Sequence, residues 1–201
     1  MISFSRVDRS ILGHWWWTVD RWLLASILMI VAIGTILTLA ASPPVATRLG
    51  LDTYHFAIRQ FAYLPLALLT MICVSLMDPL MIRRFATVLF GVFLILTAST
   101  HFFGSEIKGA SRWISFAGFT LQPSEFLKPT FAVVAAWMFS EWRKNTRFPG
   151  YLVAIALYGL VAALLITQPD FGMTVVISAV WGVQFFLAGL PVFFVVLVAF
   201  V

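Results

Sequence analysis

The chain has 201 residues, 62% of them hydrophobic and 10% charged, with a mean hydropathy of +1.00 and a formal net charge of +5. Soluble domains carry roughly a quarter of their residues as charge, so the composition excludes a soluble globular protein and predicts an all-α, polytopic helical membrane protein. The positive charge does not point to nucleic acid, because the basic residues fall between apolar runs instead of forming one face. A lone cysteine, Cys73, permits no internal disulfide.

Met1 to Asp20 is polar and aromatic. Arg6, Arg9 and Arg21 flank the first apolar run, and Trp15, Trp16, Trp17 and Trp22 crowd its start, the pattern of an interfacial belt. Residues 1–21 are expected to form a cytoplasmic amino-terminal segment and residues 22–201 a membrane domain. The first run is too long for a cleavable signal peptide and others follow it, so a retained helix is expected. Six apolar runs approach or reach the length of about 20 residues that a spanning helix needs: Trp22–Ala41, Phe56–Met77, Phe85–Phe103, Ser124–Ser140, Tyr151–Thr167 and Phe171–Ala188. A seventh begins at Pro191 and is cut off at Val201. The expectation is therefore six full membrane helices plus the start of a seventh, in a bundle truncated inside a helix.

Lys and Arg bias sets the expected orientation. Arg6, Arg9, Arg21, Arg83, Arg84, Arg143, Lys144 and Arg147 fall on one side, and the smaller set of Arg48, Arg59, Lys108, Arg112 and Lys128 on the other. The amino terminus is thus expected inside, and the basic residues left outside hint at an anionic partner there. The outer loops become Ser42–His55, Gly104–Gln122 and the Gln168-Pro169-Asp170 turn.

The stretch from Gly104 to Pro129 gathers Glu106, Lys108, Arg112, Glu125 and Lys128. Ionisable groups within membrane segments are costly and mark function. If Pro123 opens a helix, Glu125 and Lys128 share a face and can pair across one turn. Pro129 crowds the Glu125 carbonyl and removes an amide, so the helix start is expected to be locally broken. Gln-Pro occurs twice on the expected outer face, with Glu125 following one pair and Asp170 the other. Both acids also have an ordinary reading, since the backbone dipole favours carboxylates in a helix's first turn. Lys128 reads alternatively as a snorkelling side chain, and Arg112 with Trp113 as a lipid-interface loop. His14, His55 and His101 have no ligand spacing with one another or with Cys73, so no metal site is expected. No Gly-rich phosphate loop or serine elbow is present.

Ser111-Arg112-Trp113, Gln122-Pro123-Ser124-Glu125-Phe126-Leu127-Lys128 and Gln168-Pro169-Asp170-Phe171-Gly172, in that order and each beside an apolar run, resemble the SEDS family of shape, elongation, division and sporulation proteins. The leader from Arg9 to Arg21 is most similar to its division branch. The resemblance implies a peptidoglycan glycosyltransferase that polymerises lipid II on the outer face of the bacterial inner membrane, at the division septum. It also implies a class B penicillin-binding protein and other division-complex membrane proteins as partners, with membrane lipids around it and no nucleic acid. Arg112 and Lys128 would be the pyrophosphate-binding cations, Glu125 would orient Lys128, and Gln122, Ser124 and Asp170 complete the implied substrate-binding set. The family's catalytic aspartate is expected beyond Val201, and its role is not carried over to Asp170; the chain alone is expected to be inactive. No organic cofactor is implied, and a divalent cation stays open. Two other functions also stay open: a lipid II flippase, because transporters place charges beside Pro-broken helices, and a scaffold of the division machinery. The few polar residues of 150–165 and 174–188 argue against a path to the inner face.

Overall fold

The structure, a computed structural model, describes residues 11–107, 110–116, 119–145 and 147–189. Arg6, Arg9, Lys108 and the run from Pro191 lie outside the described residues. In chain order the elements are α1 (Ile11–Thr18), α2 (Arg21–Arg48), α3 (His55–Ser75), α4 (Pro79–Phe103), β1 (Ser105–Ile107), β2 (Ala110–Phe116), β3 (Phe119–Leu121), α5 (Pro123–Lys144), α6 (Gly150–Thr167) and α7 (Phe171–Leu187). They fall into two compact units divided between Asp78 and Pro79.

In the first unit, Asp20 caps α2: its Oδ1 accepts from the Trp22 and Leu23 amides at 2.9 and 3.1 Å. The helix does not stop at Ala41 as expected but runs through Pro43 and Pro44 to Arg48, so the following loop is shorter than Ser42–His55. Two prolines remove two amide donors. Thr47 Oγ1 donates to the carbonyls of both, at 3.0 and 3.2 Å. The helix ends at Gly50, whose φ of +68° allows the Leu51 amide to reach the Ala46 carbonyl (2.9 Å) and the Gly50 amide the Thr47 carbonyl (3.2 Å). This is the Schellman arrangement. The tryptophan cluster is a folded feature: the Trp15 indole donates to Ser75 Oγ at 2.7 Å, and the Arg21 guanidinium lies 5.2 Å from the ring centres of both Trp16 and Trp17.

The second unit is built around α5, which packs against α4, α6 and α7. Its buried Ser124, Leu127, Phe131, Val134, Ala135 and Met138 recur at three- and four-residue spacing and form one face. Against that face lie Phe90 of α4, Ala154, Val161 and Leu165 of α6, and Ile177, Trp181 and Phe185 of α7. Tyr158 stacks on Trp181 with ring centres 4.5 Å apart, an arrangement that adds to plain area burial. α5 is continuous through Pro129, which corrects the expected break. Proline there removes one bond, to the Glu125 carbonyl, and Thr130 Oγ1 donates to the neighbouring carbonyls of Phe126 and Leu127 at 2.9 and 3.0 Å.

Among the described helices, α2, α3, α4 and α6 are long and apolar enough to cross a membrane, and α7 is apolar with 17 residues. The remaining expected span, α5, carries charges in its first and last turns. The segment between Gly104 and Gln122, read from sequence as a loop, folds into an antiparallel meander of order β1-β2-β3. Ile107 pairs with Ala110 and Phe116 with Phe119, so two residues join each pair of strands. β2 lies against α4 and α5.

Candidate functional site

Two turns far apart in sequence meet at the end of the second unit that carries the strands. One is Gln122-Pro123, where β3 passes into α5. The other is Gln168-Pro169-Asp170, between α6 and α7. Asp170 caps α7 by accepting from the Met173 amide at 3.4 Å on Oδ1, while its Oδ2 accepts from Gln122 Nε2 at 3.3 Å. One carboxylate is therefore shared by the starts of two helices. Arg112 reaches it from β2, with Nη1 3.5 Å from Asp170 Oδ1. The same guanidinium donates from Nε to the Gln168 carbonyl at 2.9 Å and from Nη2 to the Pro169 carbonyl. The Asp170 side chain is 8% exposed and that of Arg112 28%. A carboxylate so buried is tolerated only with partners of this kind.

Gln168, which is outside the expected substrate-binding set, is 3% exposed and extends the network to α4. Its Nε2 donates to the Thr97 carbonyl at 2.8 Å and to Thr100 Oγ1 at 2.6 Å. Thr100 Oγ1 donates in turn to the Thr97 carbonyl at 2.8 Å. The available signal was two threonines three apart at the end of an apolar run, facing a glutamine at the end of another, a pattern equally suited to plain helix ends.

Glu125 and Lys128 form the pair their spacing predicts, with Nζ 2.7 Å from Oε2; the Lys128 side chain is 25% exposed and that of Glu125 50%. Pro123 at the first helical position and Gln122 as cap fix where the helix begins, and hence which face carries the pair. An ion pair at this spacing on a helix contributes only about 0.2–0.5 kcal/mol, too little to explain placing two charges at the start of the unit's central helix. An ammonium has three donors, and the one taken by Glu125 leaves capacity for an anionic oxygen. Ser124 is buried, and its Oγ accepts from Gln122 Nε2 at 3.1 Å. Of the six residues expected to bind substrate, Glu125 and Lys128 thus form an accessible pair, and Arg112, Gln122, Ser124 and Asp170 form a hydrogen-bonded brace. Among the described residues no three His, Cys, Asp or Glu side chains gather where a metal ion could be held.

Fold and site together define a polytopic helical membrane protein whose central helix presents a carboxylate–ammonium pair at a braced end. The chain belongs to the FtsW, RodA and SpoVE family of cell cycle proteins, whose signature matches residues 21–201. It is 43% identical over 191 residues to a protein of Caulobacter vibrioides named "Probable peptidoglycan glycosyltransferase FtsW", a match covering 94% of this chain and 49% of that one. Among solved structures, a mutant of the rod shape determining protein RodA of Thermus thermophilus is similar with a TM-score of 0.74 at 29% identity, over 91% of this chain and 58% of that one. A chain from a peptidoglycan synthase complex, described for its coordination of polymerization and crosslinking, has a TM-score of 0.67 at 28% identity, over 84% and 47%. The chain spans about half the length of the curated relatives it matches.

Proposed function

We propose that this chain serves in a peptidoglycan glycosyltransferase that polymerises lipid II on the outer face of the bacterial inner membrane during cell division. The observation that carries the reading is the Glu125–Lys128 pair, 2.7 Å apart and open to an incoming anion, in a chain similar to proteins named for that activity. In the reaction, the 4-hydroxyl of one lipid II attacks the sugar carbon of another that bears the pyrophosphate. That carbon inverts, the attacking hydroxyl gives up its proton to a general base, and the lipid pyrophosphate leaves with the electron pair of the broken bond. Departure of a diphosphate is accelerated by fixed positive charge where negative charge develops. Lys128 supplies that charge, and Glu125 holds the ammonium in place. Asp170 is not assigned as the base, because both of its oxygens are engaged by Arg112, Gln122 and the Met173 amide. Likeness to a chain of a peptidoglycan synthase complex supports a class B penicillin-binding protein as partner. The amino terminus is cytoplasmic and the site of action the division septum, alongside other division-complex proteins.

The test is polymer formation from lipid II by the purified full-length protein. Wild type forms glycan strands, and Lys128→Ala, still folded, forms none. Undiminished polymer from that variant overturns the reading. Movement of labelled lipid II across liposome bilayers without polymer would mark a flippase instead.

A further inference from the structure

We infer that Arg112 and Gln168 are positioning residues, which lock β2 and α4 to the α6–α7 turn and thereby hold the start of α5, with Lys128 in its second turn, without meeting the anion themselves. The inference rests on the reading of Lys128 as the anion-binding cation.

Arg112 and Gln168 commit most of their donors within the protein, whereas Lys128 commits one of three. A guanidinium has five N–H groups in a fixed fork. Three of those of Arg112 serve the carbonyls of Gln168 and Pro169 and the Asp170 carboxylate, so that Nε, Nη1 and Nη2 are each tied within the protein. Gln168 has two amide hydrogens, and both are used, on the Thr97 carbonyl and Thr100 Oγ1. At 3% exposure its side chain has no face left for a ligand. The contacts run without a gap from Thr97 and Thr100 on α4, through Gln168, Arg112 and Asp170, to Gln122, whose carbonyl accepts the Glu125 amide at 3.2 Å. Each link is a hydrogen bond or ion pair of restricted geometry, and the last is the cap of the helix that bears the pair.

Positive charge alone does not satisfy this role, since two carbonyls and a carboxylate must be bridged at once. Lysine is a point charge on a flexible stem and lacks the fork. A cation that touched the diphosphate directly would behave differently, because its charge is what the ligand reads.

The experiment uses the full-length protein in nanodiscs with lipid II as substrate, and compares Arg112→Lys, Arg112→Gln and Gln168→Leu with wild type. A small displacement of a substrate-holding group costs up to about a hundredfold in rate. The expected result is a fall in kcat of about tenfold or more in all three variants, with KM within about threefold of wild type. Arg112→Lys falls with Arg112→Gln. The double variant Arg112→Gln/Gln168→Leu is no worse than the poorer single by more than about threefold, because both changes break one device. Recovery of activity in Arg112→Lys, with KM raised in Arg112→Gln, would make Arg112 a direct ligand and overturn the inference. Hydrogen exchange supplies a reading that needs no turnover: the amides of Gln122 and of Ser124 to Lys128 exchange about tenfold faster in Arg112→Gln and Gln168→Leu, and at the wild-type rate in Lys128→Ala. Unchanged protection in the first two overturns the positioning role even if polymer is made. Absence of polymer from wild type sinks the polymerase reading and leaves the exchange result standing.

Discussion

Gln122 donates through Nε2 to Asp170 Oδ2 across 3.3 Å, so the caps of α5 and α7 form one hydrogen-bonded unit. The consequence is that Asp170 is shared: it caps its own helix, receives the cap side chain of another and neutralises Arg112. Asp170→Ala removes all three functions and leaves a guanidinium that is only 28% exposed without its carboxylate. Removing one partner of a buried ion pair costs on the order of 3 kcal/mol. The expected result is a clear fall in the unfolding midpoint of the purified protein. Asp170→Asn, which keeps the cap and an acceptor but loses the charge, falls less. An Asp170→Ala protein melting with wild type would show that the brace carries no stability.

The Glu125–Lys128 pair should behave in the opposite way. Because a helix pair of this spacing contributes only about 0.2–0.5 kcal/mol, Lys128→Ala is expected to leave thermal unfolding almost unchanged. Polymerisation by the same protein is expected to fall by about a hundredfold or more, the range seen when one transition-state charge donor is lost. Glu125→Gln keeps the ammonium and loses only its tether, so a loss of about tenfold is expected. Parallel melting curves and lipid II turnover on the same preparations check this. Equal losses in stability and activity would make the pair structural.

What could be read in advance was local. Glu125 and Lys128 follow a proline at the first helical position, and three-residue spacing on a helix is enough to pair them. The brace could not be read so, because it joins residues 112, 122 and 168 through the packing of four helices. A sequence shows that Arg112 is charged without showing which oxygens surround it. The strands were not legible, since Arg112-Trp113-Ile114-Ser115 sets two apolar residues side by side instead of alternating. Their apolar surroundings read equally as membrane helix and loop. The continuation of α2 past Pro43 and Pro44 was hidden for another reason. Prolines usually end a helix, and here Thr47 together with the turn at Gly50 carries it one further turn.

That turn yields a prediction at Gly50. Its φ of +68° is a conformation that L side chains rarely adopt, although no atom lies within 4 Å of where a Cβ would stand. Gly50→Ala is therefore destabilised by backbone conformation alone, by roughly 1 kcal/mol. Gly50→Asn, which tolerates the left-handed region better, is expected to recover part of the loss in the same thermal unfolding measurement. An alanine variant as stable as wild type would mean that α2 can end in another way.

Gly150 is the contrasting case, because its constraint is space. It opens α6 where that helix leans on α5, and a Cβ there would stand 2.2 Å from the Met138 carbonyl oxygen and 3.1 Å from Phe148 Cδ1. The carbonyl is backbone in the middle of a packed helix and cannot rotate aside as a side-chain tip would. Alanine at 150 must therefore push α6 away from α5, opening the contacts around Met138 and Ala154 that close this part of the core. Overpacking of a well-packed interior costs typically about 1–3 kcal/mol, and an immovable neighbour places Gly150→Ala toward the upper part of that range. Both glycine variants should melt below wild type. Asparagine rescues only at Gly50, since a larger side chain worsens the clash at Gly150. The comparison of the four proteins by thermal unfolding distinguishes conformational from steric need, and a Gly150→Asn variant more stable than Gly150→Ala would show that α6 does not meet α5 at this point.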